Sequence, residues 1–146
     1  MNTEPIDIEI QLSSTFWDKP PKSKIFIDDS LIFDSEVKVP EVVKWSGSLA
    51  EGMHKIKIIL ENKDKYQTVV KDDKIVKDQL LNIDAVLFDD IEIGNLCHTL
   101  SKYYPNKSVY GETSPLLVKN CVNLGYNGVW ELEFNTPVYI WLLENM

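Results

Sequence analysis

Apolar and polar residues alternate along most of this chain. Ile6, Ile8, Ile10 and Leu12 are separated by Asp7, Glu9 and Gln11. A period of two sets each group on one face of a strand, and the apolar face is the one that is buried. His54, Ile56, Ile58 and Leu60 repeat the pattern opposite Lys55 and Lys57. Trp130, Leu132 and Phe134 repeat it again, with Glu131 and Glu133 facing outward. Helical spacing is nearly absent.

Turn chemistry divides these runs. Asp18-Lys19-Pro20-Pro21-Lys22 predicts a loop, because two prolines remove two ladder donors. Lys24 to Asp28 and Leu31 to Asp34 flank an Asp28-Asp29-Ser30 turn and predict a hairpin. Pro40 breaks the stretch from Glu36 to Trp45, which implies an edge strand or a bulge. Leu49 to Gly52 predicts a turn and Asn62 to Tyr66 a polar loop. Gln67 to Val70 and Ile75-Val76 predict short strands around Asp72-Asp73, and Asn82 to Ile93 one or two more, interrupted by Asp89-Asp90. Leu96 to Lys119, with Pro105 and Pro115, predicts an irregular excursion holding one helical turn near Leu100. Asn120 to Leu124 reads as a strand and Asn127-Gly128 as a hairpin turn. Val138 to Leu143 is apolar on both faces, which predicts a central strand or one covered by another subunit. About nine short strands at regular spacing imply an all-β antiparallel sandwich or jelly roll. The length of 146 residues predicts one domain over 1–146, with the excursion at about 96–119.

Composition narrows the partners. The formal net charge is −8, and an acidic surface repels a phosphate backbone, so nucleic acid is not expected. No segment approaches the roughly 20 apolar residues that span a bilayer. The acidic, alternating start from Met1 to Gln11 lacks the features of a signal peptide, so synthesis in a cytoplasm is expected. Cys97 and Cys121 are too few for a metal cluster and read as free thiols.

The residues bear on three chemistries. Catalysis is not expected. There is no Gly-x-Ser-x-Gly elbow, P-loop, dinucleotide motif or His-Glu-x-x-His. His54 lies on an apolar face, and Cys97 and His98 would point to opposite faces of a strand. Metal binding draws on Asp64, Asp72, Asp73, Asp78, Asp89 and Asp90, hard oxygen ligands of the kind calcium takes. Their spacing is not that of an EF-hand, and turn chemistry and solvated charge explain them more simply. Sugar binding draws on Trp17, Trp45, Tyr66, Tyr103, Tyr104, Tyr110 and Tyr126, whose rings match the C–H face of a pyranose.

Gly52-x-His54-x-Ile56-x-Ile58-x-Leu60-x-Asn62, followed by Asp78-Gln79-Leu80, resembles calcium-dependent xylan-binding-type carbohydrate-binding modules. Those are jelly rolls with a Gly-x-His strand ending in Asn-Asp and a later Asp-Arg-Asn-Leu. The resemblance covers about a third of the chain. It implies a carbohydrate-binding-module-like fold, a glycan ligand and calcium held near Asn62, Asp64 and Asp78. The chain departs from the pattern at Lys63, where the family has an acid, and at Gln79, where it has Arg. The segment from Asn120 to Phe134, with Pro137 to Asn145, resembles uncharacterised proteins of tailed phages, including cyanophages. That implies a virion-associated tail or capsid accessory protein made in the host cytoplasm.

The reading is a non-catalytic carbohydrate-binding-like module, with Trp17, Trp45, Tyr103 and Tyr104 stacking on glycan and Asn62, Asp64 and Asp78 supplying polar or calcium contacts. The alternative is an assembly protein that meets other virion proteins or copies of itself. A small hydrolase ranks below both.

Overall fold

The computed structural model describes residues 3–63, 67–105 and 117–145. The longest strand, β1 (Thr3–Thr15), organises the first sheet. It pairs antiparallel with β4 (Glu41–Ala50) along its first part and with β8 (Leu80–Phe88) along its second. The register shifts between Gln11 and Leu12 on the β8 side. β12 (Asn123–Leu124) and β9 (Ile91–Glu92) complete this sheet along β8, so β4 is an edge. Pro40 stands just before β4, where no ladder donor is needed.

The second sheet runs β11-β10-β13-β5-β2-β3. Its strands are β2 (Lys22–Ile27), β3 (Ser30–Glu36), β5 (Gly52–Leu60), β10 (Lys102–Pro105), β11 (Val118–Lys119) and β13 (Gly128–Thr136). Two sheets of antiparallel strands face each other as a β-sandwich of the jelly-roll type. A hairpin of β6 (Val69–Lys71) and β7 (Lys74–Lys77) stands apart from both.

Alternation decides what fills the space between them. Ile6, Ile8, Ile10 and Leu12 from β1 meet Ile56, Ile58 and Leu60 from β5 and Trp130, Leu132 and Phe134 from β13. Burying each such side chain contributes on the order of 1.5–3 kcal/mol before entropy is charged. A slip of one residue would turn any of these sets outward, so the register is fixed by the same alternation.

The tight turns are made by acids. Asp28, Asp72, Asp73, Asp89 and Asp90 all have positive φ, as does Asn120. Asx side chains tolerate this left-handed region better than other non-glycine residues. Gly52 opens β5 at φ 133°, a conformation that glycine reaches without strain.

Three stretches differ from the pattern-based expectation. Val138–Asn145 is a helix, α2, and not a strand. Its buried residues are Val138, Trp141 and Leu142, a spacing of three and four that is helical. Tyr139, Ile140 and Leu143 are exposed. The Glu4 carboxylate accepts the Val138 N–H (3.1 Å) at its start. The excursion holds a helix, α1 (Asn95–Leu100), and the strands β10 and β11, while 106–116 lie outside the described residues. Asn127-Gly128 is not a hairpin turn. β12 pairs in the first sheet and β13 in the second, so the chain crosses between sheets there.

Candidate functional site

One end of the sandwich gathers four connections. They are the β1–β2 loop, the exit of β5, the segment leading into β8, and the β12–β13 crossing. Side-chain hydrogen bonds hold them together. Asn62 Oδ1 accepts the Lys22 N–H (2.7 Å) and its Nδ2 donates to the Pro20 carbonyl (3.0 Å), tying β5 to the first loop. The Lys63 backbone N–H donates to Asn127 Oδ1 (2.8 Å), and Asn127 Nδ2 donates back to the Lys63 carbonyl (2.5 Å).

Lys63 turns inward from there. Only 3% of the residue is exposed. Its Nζ donates to Asp78 Oδ1 (2.6 Å) and to the Gly125 carbonyl (2.6 Å). The same Asp78 oxygen accepts the Thr68 hydroxyl (2.6 Å) and the Gln79 N–H (2.8 Å). Burial alone would raise the Asp78 pKa. The bonds from Lys63, Thr68 and Gln79 outweigh it and hold the carboxyl below its ordinary value.

Trp17 lies over this junction. Its Nε1–H donates to the Gln67 carbonyl (2.9 Å), and Lys77 Nζ sits 4.7 Å from the ring centroid. A cation at that range fixes the ring by about 0.5–1 kcal/mol. Trp17 is nevertheless 44% exposed, with Phe16 exposed beside it in the chain. Gln67 Nε2 donates to Asp18 Oδ2 (3.0 Å) and Gln79 Nε2 to the Lys19 carbonyl (3.0 Å). Both glutamines are buried, and the Oε1 atom of each lacks a hydrogen-bond partner among the described residues.

Of the other expected sugar contacts, Tyr126 lies in the β12–β13 crossing itself, and the rest of those described lie elsewhere. Trp45 is half-buried on the edge strand β4 and packs against the core. A Cβ at Gly47 would come within 2.5 Å of its indole, so the ring lies across the glycine. It helps to line a cleft of about 170 Å³ with Asp7, Glu9, Lys44 and Asp90. Tyr104 stands on β10, beside Val129, and is exposed. Tyr103, its neighbour, is 1% exposed and offers no ring face to a ligand. Its hydroxyl donates to the Tyr126 carbonyl and accepts the Tyr126 N–H (2.9 Å). Adjacent strand residues point to opposite faces, which separates the pair. Tyr126 is half-buried, and Tyr66 and Tyr110 lie outside the described residues.

The calcium that the resemblance implies can be tested against two of its three expected ligands, since Asp64 lies outside the described residues. Asn62 spends its amide on the backbone of Lys22 and Pro20. Asp78 turns one oxygen on three donors, one of them a buried ammonium. A cation would have to approach that ammonium, and like charges repel strongly in such a setting. These two residues do not fit a calcium ion. Among the described residues no group of three or more His, Cys, Asp and Glu is placed to hold a metal. Asp72, Asp73, Asp89 and Asp90 serve the positive-φ turns.

The catalytic candidates also have structural places. His54 Nδ1 lies 2.7 Å from Asp28 Oδ2 and Nε2 lies 2.6 Å from the Ala50 carbonyl. Cys97 is buried in α1, and burial pushes its thiol up to about 12, so it is not a thiolate at neutral pH. His98 is exposed on the same helix.

Pattern reading missed Lys63, Gln67, Thr68, Lys77 and Gln79 as members of this junction. The signals were Lys63 and Gln79, standing where the resembled family has an acid and an Arg.

No family model matches the chain, and no curated protein does. Two solved structures share its fold. One is vCBM60 in complex with galactobiose, at TM-score 0.51 and 8% identity, covering 88% of this chain and 97% of that one. The other is a selenomethionine form of vCBM60, from work on circular permutation between two families of calcium-dependent carbohydrate-binding modules. It matches at TM-score 0.55 and 9% identity, covering 87% and 89%. At such identities the likeness is one of fold.

Proposed function

We propose that this protein is a non-catalytic carbohydrate-binding module whose glycan meets the loop junction at Trp17. The observation that carries the reading is an exposed indole held in place by a hydrogen bond and an ammonium, on a fold shared with carbohydrate-binding modules. A pre-set aromatic ring loses little freedom when a sugar stacks on it. The charged groups around it, Asp18, held by the buried Gln67 amide, and Lys77, are of the kinds that orient sugar hydroxyls.

Calorimetric titration with a panel of soluble oligosaccharides, including galactose and xylose oligomers, tests this. One sugar class should bind, and Trp17→Ala should weaken it about tenfold, the equivalent of about 1.4 kcal/mol. Binding unchanged by Trp17→Ala would overturn the placement, and no binding to any class would overturn the function.

A second reading is an assembly role in a tailed-phage particle, with the protein made in the host cytoplasm. It is supported by Tyr139, Ile140 and Leu143, three exposed apolar residues on α2, and by the sequence resemblance of that segment. A monomer at all concentrations, indifferent to other particle proteins, would remove it.

A further inference from the structure

A lysine side chain is almost never buried without a partner, because a lone ammonium loses its hydration. Lys63 is buried, and its partners are one carboxylate and one main-chain carbonyl. They stand 15 and 62 residues away in the chain. The ammonium therefore draws together three segments: the exit of β5, the entry to β8 and the β12–β13 crossing. Collecting a carboxylate and a carbonyl oxygen from distant loops is what a hard divalent cation does in a calcium site. Here the charge is covalently attached, and the Asn127 side chain clamps the Lys63 backbone from both sides.

We propose that the Lys63 ammonium is the resident cation of this junction, so that the folded loops need no divalent metal. Only its corollary, that glycan binding at Trp17 is equally metal-independent, rests on the function proposed above. The proposal accounts for the two features that a calcium site would leave unexplained, the buried lysine and the Asp78 oxygen saturated by donors.

The test needs no sugar, so its failure and that of the glycan reading are separable. The intact protein is melted in calcium and in chelator, and then Lys63→Asp is treated the same way. The wild-type melting temperature should differ by less than about 1 °C between the two. Lys63→Asp places a second carboxylate beside Asp78 and the Gly125 carbonyl. It should melt lower than wild type in chelator and recover by about 5–10 °C in calcium at a hundredfold excess over its dissociation constant. A wild type that gains several degrees in calcium, or takes up calcium in a direct titration, would overturn the proposal. So would a folded Lys63→Asp that ignores calcium. Should Lys63→Asp fail to fold, the wild-type melt and calcium titration decide alone.

Discussion

The helix α2 makes a prediction that separates it from the strand its composition suggests. In a strand, Trp141 and Leu143 would share a face; in the helix they do not. Trp141 is buried with its ring centroid 5.7 Å from that of Phe88 and 6.3 Å from that of Phe134, both at edge-on angles. Phe88 and Phe134 are themselves 4.8 Å apart, so Trp141→Ala opens one side of a three-ring cluster. A large-to-small change at such a site costs about 3–5 kcal/mol. In a chain of 146 residues that lowers the melting temperature by about 10 °C. Leu143 is 76% exposed, and Leu143→Ala should stay within about 0.5 kcal/mol of wild type, near 1 °C. Far-UV circular dichroism follows both melts and avoids the fluorescence of the tryptophan being removed. If Leu143→Ala costs as much as Trp141→Ala, the helical packing described here is wrong.

Two further outcomes follow from hydrogen-bonded polar groups. Burial lowers the His54 pKa, but its bonds to the Ala50 carbonyl and the Asp28 carboxylate prevail and leave it raised above about 6.5. A folded-state pKa raised in this way adds stability that is complete below about pH 6.5 and is lost as pH rises through the raised value. Melting curves from acid to alkaline pH should show this decline, and His54→Gln should flatten it; an unchanged profile would refute the assignment. Tyr103→Phe removes the hydroxyl that joins both backbone polar groups of Tyr126. It should cost about 2 kcal/mol, near 6 °C in a thermal melt, and a loss below about 1 °C would mean that the bonds contribute nothing.

Strands were legible where a long run alternates between a buried and an open face. β1 alternates without a break over residues 6–12, β5 and β13 do so apart from Ile59 and Val129, and Ile56, Ile58, Leu60, Trp130, Leu132 and Phe134 are found inside as predicted. α2 was not legible as a helix because eight residues of mostly apolar character satisfy both periods. Tyr103 and Tyr104 were read as loop residues because prolines lie on their C-terminal side. Pairing with β13, a contact distant in sequence, makes them a strand. The junction was half legible. Trp17, Asn62 and Asp78 could be picked out as residue types suited to a site. Lys63 could not be seen as buried, since its partners arrive from 15 and 62 residues away and a lysine in a polar loop normally faces water.

The acids in the turns have a consequence for how the surface can change. Five aspartates occupy left-handed positions that glycine or asparagine would also accept. Asp28 and Asp89 also use their carboxylates, on His54 and the Lys55 N–H and on the Asp7 N–H, but exchanging Asp72, Asp73 and Asp90 would leave the turns geometrically satisfied while moving the formal charge from −8 to −5. Part of the negative charge is thus a by-product of how the strands are connected. Solubility and colloidal repulsion are in this chain adjustable at those three positions almost independently of the sandwich.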